Sequence, residues 1–169
     1  MNQNEFVQLT TAFKDKVFRL AKRLLVSTEE AEDVTQEILV KLWTKKESLA
    51  SYKSVEAFAM TMTRNYCLDQ LKAKRSTNIK IDASDFKDFS PALDKKLEDH
   101  DSLTWVEKSI NQLPEQQRMI IQLRDVEQYE FEEIAKMLEI SENTIRVALS
   151  RARKTVREKM TKINNYGIK

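Results

Sequence analysis

Residues 131–150 read FEEIAKMLEISENTIRVALS, and this stretch decides the fold of the C-terminal part of the chain. Apolar residues recur every three or four positions on both sides of residues 139–141, which predicts two amphipathic helices joined by a short turn. Ser141 is a preferred N-cap because its hydroxyl accepts from the unpaired N–H groups of the next turn. Two short helices around a capped turn are typical of a helix-turn-helix.

The second helix of this motif, predicted over about residues 142–160, has a basic face. Ile145, Leu149, Ala152 and Val156 share the opposite face, which would hold the helix on its scaffold. Arginines can bond a guanine edge, and lysine or serine can hold phosphates. A charged helix face is often only solvated, but the apolar stripe of the preceding helix favours DNA reading. The candidate DNA-binding residues here are Asn143, Thr144, Arg146, Ser150, Arg151, Arg153 and Lys154.

Composition predicts an all-α fold of two small helical domains joined by a flexible acidic linker, the C-terminal one a helix-turn-helix. The 169 residues include one glycine and two prolines, which is poor material for hairpin turns. One cysteine and one histidine exclude a disulfide framework and a Cys/His zinc site. No secretion signal or spanning segment is evident, so we expect a cytoplasmic protein. We also expect no enzyme activity, cofactor, metal or small-molecule substrate, because no convergent catalytic set is present.

Periodicity divides the chain into a first domain over residues 1–76, a linker over 77–100 and a second domain over 101–169. Helices are predicted over about 5–25, 28–45 and 55–75 in the first domain, with Phe58, Met62 and Tyr66 on the buried side of the third. Ser27 and Glu30 fit a capping box for the second helix. In the second domain, Pro114 suits the first residue of a helix ending near Arg124, and a further helix is predicted over 130–138. Apolar residues that would pack on these helices are Leu97, Leu103, Val106, Ile110 and Leu113.

Acidic residues dominate the stretch around the linker, with seven at positions 82–101 against three lysines. Such a segment could mimic nucleic acid in a positively charged channel. A disordered spacer explains the same composition.

Two further constellations lie in the first domain. The third helix carries Arg64, Asn65, Asp69, Lys72, Lys74 and Arg75, with Tyr52 and Tyr66 nearby for stacking on unpaired bases. The helix dipole also favours cations near a helix C-terminus when no ligand is bound. The residues alone therefore leave both explanations open, nucleic-acid binding and stabilisation of the helix end. The second helix of the first domain carries a polar strip that would suit docking on a basic partner helix. Spacing alone favours a simpler explanation, in which the acidic residues stabilise the first turns of the helix and the tryptophan belongs to the core. The strip and its borders consist of Asp33, Gln36, Glu37, Val40, Lys41 and Trp43.

These constellations, in this order and at these separations, resemble an extracytoplasmic-function (ECF) RNA polymerase sigma factor of the sigma-70 family over nearly the whole chain. The resemblance lies in residues 31–37 and 41–43, in Arg64-Asn65 with Asp69, Leu71 and Lys72, and in residues 113–118, 123–125, 133–135 and 150–153. It implies that the strip docks on the clamp coiled coil of bacterial core RNA polymerase. It further implies that the third helix captures the minus-ten element of promoter DNA and that the C-terminal domain binds the minus-thirty-five element. Relatives commonly have an anti-sigma factor as a partner, although no residue of this chain proves one.

The chain departs from the family pattern at three places. Glu139 stands in the turn where the family usually has glycine. Val147 and Ala148 replace the serine and arginine of many relatives, which removes a phosphate or base contact. Residues 45–54 lack the small-residue pattern of the loop where relatives pocket a flipped base. Promoter preference therefore cannot be copied from relatives.

A free-standing helix-turn-helix regulator is the alternative hypothesis. Its N-terminal helices would serve dimerisation or ligand sensing, and it would bind palindromic operators with half-sites roughly 34 Å apart without polymerase. A nuclease using clustered carboxylates is the remaining, weaker alternative.

Overall fold

The computed structural model describes residues 1–80 and 102–165, which form helices and turns without a β-strand. Within these two ranges no helix is long and apolar enough to cross a membrane. The N-terminal half has four α-helices: α1 (Gln3–Thr11), α2 (Lys14–Leu25), α3 (Thr28–Thr44) and α4 (Val55–Lys80), with a 3-10 helix at Lys46–Ser51. The C-terminal half has α5 (Ser102–Asn111), α6 (Glu115–Ile121), a π turn (Gln122–Val126), α7 (Phe131–Leu138) and α8 (Glu142–Asn165).

The predicted single helix over residues 5–25 is wrong, because the chain breaks between α1 and α2. Phe13 adopts φ −134° and ψ 0°, and its side chain is buried. The break lets α1 turn so that Phe6 meets the ring of Trp43 edge-on, at 5.1 Å between centroids. Asn2 and Glu5 form a capping box that fixes the start of α1. Packing therefore ends this helix, since neither glycine nor proline occurs there.

The N-cap predicted for α3 is confirmed in part. The hydroxyl of Ser27 accepts from the backbone N–H of Glu30 at 3.2 Å. The Glu30 carboxylate, which a capping box would turn back to Ser27, instead pairs with Lys74 of α4. The side chain that was expected to cap α3 thus ties α3 to α4.

The buried face of α4 differs from the prediction. Phe58, Met62 and Tyr66 are only half-buried and flank the core. The fully buried residues are their sequence neighbours, because the apolar residues of α4 cover a wider arc than one face. They are Ala59, Met60, Thr63 and Cys67, and burial raises the pKa of the Cys67 thiol to about 12.

Helix ends also differ from those predicted around the linker. α4 continues to Lys80, so residues 77–80 of the predicted linker are helical, while 81–101 lie outside the described residues. Pro114 is the N-cap of α6 rather than its first residue. Ile110 and Leu113 are buried as predicted and Val106 packs against the core, whereas Leu97 and the side chain of Leu103 lie outside the described part.

The π turn follows α6 directly and was not predicted. Its defining bond runs from the N–H of Glu127 to the carbonyl of Gln122 at 3.0 Å. The turn widens the helix end by one residue, and two of its residues, Gln122 and Leu123, are buried. The helix predicted to end near Arg124 therefore ends as an α-helix at Ile121.

Glu139 closes α7 in the left-handed conformation, at φ 56° and ψ 42°. A residue with a Cβ is disfavoured there, typically by about 1 kcal/mol. We expect Glu139→Gly to raise the free energy of unfolding by about 0.5–1 kcal/mol, measured by urea denaturation. Glu139→Ala keeps the Cβ and should bring no such gain. Equal stabilisation by glycine and alanine would contradict a conformational origin.

Candidate nucleic-acid interface

The helix-turn-helix predicted from residues 131–150 is formed by α7 and α8. The apolar face of α8 lies in the core as predicted, with Ile145 and Ala152 at 0% and Leu149 at 2% exposure. Ile134 of α7, also at 0%, belongs to the same core. Because that face is fixed inward, the polar residues of α8 project to the surface.

The start of α8 is capped as the sequence predicted. The N–H of Thr144 donates to the hydroxyl oxygen of Ser141 at 3.1 Å, and the two hydroxyl oxygens are 2.8 Å apart. The first turn of α8 is therefore capped, and Asn143 and Thr144 are exposed on it. A capped first turn with exposed polar residues suits a recognition helix, whose N-terminal residues contact base edges.

Carboxylates and an aromatic ring position two of the candidate arginines. The guanidinium of Arg146 lies 4.9 Å from the centroid of Phe131 and 3.7 Å from a carboxylate oxygen of Glu142. Asp125 in the π turn accepts from Nε of Arg153 at 3.0 Å, and this hydrogen bond raises the pKa of Arg153. Both arginines remain exposed, together with Ser150, Arg151 and Lys154.

The two family departures on α8 are not equivalent. Val147 is 42% exposed and lies on the outer surface of the helix. Ala148 is buried at 7%. Only Val147 therefore presents an altered side chain on the surface of α8.

The candidate residues of α4 form a second polar surface. Asn65, Asp69 and Lys72 are exposed. Arg64 is half-buried, its Nη1 donates to the amide oxygen of Asn65 at 2.9 Å, and its Nε is buried without a hydrogen-bond partner. Lys74 pairs with Glu30. The positive charge of this surface is thus partly neutralised by a carboxylate of the protein, that of Glu30.

Arg75, the last candidate on α4, contacts the other half of the molecule. Its Nη2 lies 2.6 Å from a carboxylate oxygen of Glu115 at the start of α6. Sequence reasoning missed this partner because the two residues are 40 positions apart and neither belongs to a local pattern.

An aromatic pair stands where the 3-10 helix meets α4. Tyr52 stacks on Phe58 with 4.2 Å between ring centroids, and Tyr52 is 38% exposed. Nζ of Lys45 lies 5.6 Å from the Phe58 ring, and Nζ of Lys41 lies 4.7 Å from the ring of Tyr66. Exposed rings with cations suit stacking on unpaired bases. Phe58 was missed as a candidate because it was assigned to the buried face.

The polar strip lies on the outer side of α3. Its buried stripe is Ala31, Val34, Ile38 and Leu42, each at 0% exposure. On the other side, Asp33, Gln36 and Lys41 are exposed, Glu37 is half-buried, and Val40 is 58% exposed.

Trp43 at the end of the strip is not a core residue. It is 36% exposed, and Nζ of Lys46 lies 3.8 Å from its ring centroid. An exposed tryptophan beside an exposed valine is an anchor of the type found at protein interfaces.

These features define a helical, DNA-binding protein of the helix-turn-helix class. The family model for Sigma-70 region 2 matches residues 9–77, and that for Sigma-70 region 4 matches residues 103–156. The chain belongs to the sigma-70 family of RNA polymerase sigma factors and to its extracytoplasmic-function group. Sigma factors act in transcription initiation and are not catalysts.

Similar proteins support the assignment along nearly the whole chain. The ECF RNA polymerase sigma factor SigE of Mycolicibacterium smegmatis is 29% identical over 92% of this chain, which spans 61% of that relative. SigW of Bacillus subtilis is 22% identical over 94% of this chain and 90% of the relative. The ECF RNA polymerase sigma-E factor of Escherichia coli is 28% identical over 94% and 88%.

Two solved structures share the fold. The sigma factor RpoE of Bartonella quintana, solved in complex with the anti-sigma factor NepR, gives a TM-score of 0.72 at 21% identity, over 93% of this chain and 97% of that one. CnrH, solved in complex with the cytosolic domain of CnrY, gives 0.65 at 18% identity, over 93% and 88%.

Proposed function

We propose that this chain binds core RNA polymerase in the cytoplasm and directs promoter-specific initiation by recognising minus-ten and minus-thirty-five elements. The observation that carries the proposal is the capped helix α8, whose apolar face is buried while its arginines are exposed, in a chain that also presents the α3 strip. A free DNA-binding regulator would need the first surface but not the second.

The three surfaces have separate roles in this proposal. Asp33, Gln36 and Glu37, with Val40 and Trp43, would dock on the polymerase. The α4 surface and the Tyr52–Phe58 pair would hold the minus-ten element as single strand, since stacked rings and cations bind unpaired bases. The exposed residues of α8 would hold the minus-thirty-five element as duplex.

An anti-sigma factor is a further partner in the proposal. It is supported by the Bartonella quintana structure, in which a sigma factor of this fold is bound to the anti-sigma factor NepR. CnrH, which shares the fold, is likewise bound to a second protein, the cytosolic domain of CnrY.

Promoter-dependent run-off transcription with purified core polymerase tests the proposal. The protein and core together should give transcripts of defined length from promoters selected with this factor. Absence of both core binding and promoter-dependent transcripts would refute it. Tight binding to a palindromic duplex without polymerase would favour the free-standing regulator.

Arg151 provides a specific test of the α8 surface. The side chain is exposed on the outer face of α8, so Arg151→Ala should weaken binding to minus-thirty-five duplex by about 1–3 kcal/mol. Fluorescence anisotropy at fixed salt measures the change. Lys136→Ala removes the same charge from the exposed surface of α7 and is the matched control. If the two variants lose the same affinity, α8 is not the reading helix.

A further inference from the structure

The indole ring of Trp43, at the exposed end of the α3 strip, contacts two side chains from other elements. The ring of Phe6 on α1 meets it edge-on, with 5.1 Å between the centroids and 73° between the ring planes. Nζ of Lys46 lies 3.8 Å from the indole centroid. Edge-to-face rings attract each other, and an ammonium is attracted to the electron-rich face of an indole. Both contacts therefore restrict the rotation of a side chain that is 36% exposed.

The construction of α1 fixes the position of Phe6. The backbone N–H of Glu5 donates to Oδ1 of Asn2 at 2.9 Å, and the N–H of Asn2 donates to Oε2 of Glu5 at 2.9 Å. The break at Phe13 ends the helix and lets it turn towards Trp43. Phe6 is 8% exposed, and no other apolar side chain of α1 is as deeply buried. A partner protein has little access to Phe6, so any effect of Phe6 on docking would pass through the indole.

The end of α3 determines the position of Lys46. Lys45 leaves the helical conformation, at φ −98° and ψ 14°, and the 3-10 helix that follows buries Leu49. This turn brings Lys46, three residues after Trp43, against the indole. In the part of the chain that the structure describes, no carboxylate pairs with Lys46. The indole is therefore the partner of this ammonium.

The rest of the strip explains why the orientation of the indole matters. Val40, one turn before Trp43, is 58% exposed, and the carboxylates of Asp33 and Glu37 lie nearer the start of α3. Such a surface suits a partner that offers basic residues beside an apolar pocket. Once the acidic residues have set the register, the indole can enter that pocket only in one orientation.

We propose that Phe6 and Lys46 are positioning residues, which hold the Trp43 indole in the orientation that docks on core polymerase. The inference rests on the proposed function, because it concerns the same surface. A side chain that becomes ordered only on binding lowers the affinity by about two- to tenfold. A ring that is already held has lost this freedom in the free protein. Phe6 thus contributes to docking without touching the polymerase.

Rotation of the indole in the free, full-length chain tests the proposal without polymerase. Trp105→Phe leaves Trp43 as the one tryptophan of the chain, so time-resolved fluorescence anisotropy reports its motion alone. The otherwise unsubstituted protein should show little fast depolarisation. Phe6→Leu and Lys46→Ala should each enlarge the amplitude of the fast component. A fast component of equal amplitude in all three proteins would overturn the inference.

The affinity for core polymerase measures the effect on docking. Trp43→Ala removes the anchor and should weaken binding by about thirtyfold or more. Phe6→Leu and Lys46→Ala should each weaken it by about two- to tenfold. Lys46→Arg keeps a cation that stacks on aromatic rings and should restore the affinity. Unchanged binding in variants whose indole rotates freely would refute the positioning role.

Two matched controls separate positioning from a general loss of charge or packing. Lys22→Ala removes the same charge from an exposed site on α2. Phe18→Leu makes the same change of side chain on α2, where Phe18 packs against the hydrophobic core. Both controls should leave the affinity for polymerase nearly unchanged, and circular dichroism checks that every variant is folded. Losses as large as those of Phe6→Leu and Lys46→Ala would contradict a specific role for the two residues.

A double-mutant cycle with Trp43→Ala tests whether the effect passes through the indole. If it does, Phe6→Leu and Lys46→Ala should cause no further loss of affinity once residue 43 is alanine. Fully additive losses would overturn the proposal. A chain with a restricted indole that binds no polymerase refutes the proposed function, whereas a freely rotating indole in a chain that binds polymerase refutes the positioning role alone.

Discussion

The variant carrying Asp33→Lys and Glu37→Lys is expected to lose promoter-dependent transcription and to keep its affinity for duplex DNA. Both carboxylates lie on the outer side of α3, opposite its fully buried stripe, so the helix should fold unchanged. Like charges placed across an interface cost several kcal/mol, and binding to core should therefore fall by more than about a hundredfold. Run-off transcription, core pull-down and duplex anisotropy measure the three quantities.

Charge reversal elsewhere in the same half is the matched control. Glu29 and Glu47 are exposed and lie outside the strip. Glu29→Lys with Glu47→Lys changes the net charge by the same amount and should retain most core binding. If both double variants lose core binding alike, net charge and not the strip determines docking. If the strip variant transcribes normally, the polymerase surface lies elsewhere.

Ile145→Ala is expected to destabilise the helix-turn-helix by about 2–5 kcal/mol, because the side chain is fully buried and leaves a cavity. Val147, two residues further along α8, is 42% exposed, so Val147→Ala should change stability by less than about 0.5 kcal/mol. Urea unfolding should show a lower midpoint for Ile145→Ala at an unchanged m-value.

Binding to duplex DNA should fall with the stability of this motif, since the recognition residues depend on α8 being docked. The Ile145→Ala protein should regain affinity at temperatures low enough to keep it folded. Similar losses of stability in Ile145→Ala and Val147→Ala would mean that α8 is rotated from the orientation described above.

Local patterns in the sequence predicted the parts of the fold that local forces determine. The face of α8 formed by Ile145, Leu149 and Ala152 follows from helical periodicity alone. The Ser141 cap follows from hydrogen bonds within four residues. The outer position of the α3 strip follows from the buried stripe on the same helix.

Tertiary packing determines the features that the sequence did not reveal. The break at Phe13 has no glycine or proline to mark it, and it becomes understandable only when Phe6 is seen against Trp43. Half-burial of Phe58 and Tyr66 depends on which elements cover α4. Neither the helix break nor the half-burial can be deduced from the sequence of a single helix.

Ion partners were the part of the candidate site least accessible to sequence reasoning. Asp125 and Arg153 are 28 positions apart, and Arg75 and Glu115 are 40 apart. Their pairing depends on how helices pack, so spacing gives no signal. The motifs identified the candidate cations. Only the packed structure showed which of these cations already form an ion pair with a carboxylate of the protein.

The left-handed residue at the end of α7 bears on how turns of this type are recognised. A search pattern that requires glycine between the two helices would reject this chain at Glu139, although its backbone has the conformation for which glycine is usually selected. Val26 ends α2 in the same conformation with a β-branched side chain. Such a turn requires a particular pair of dihedral angles, and the identity of the residue predicts those angles only imperfectly.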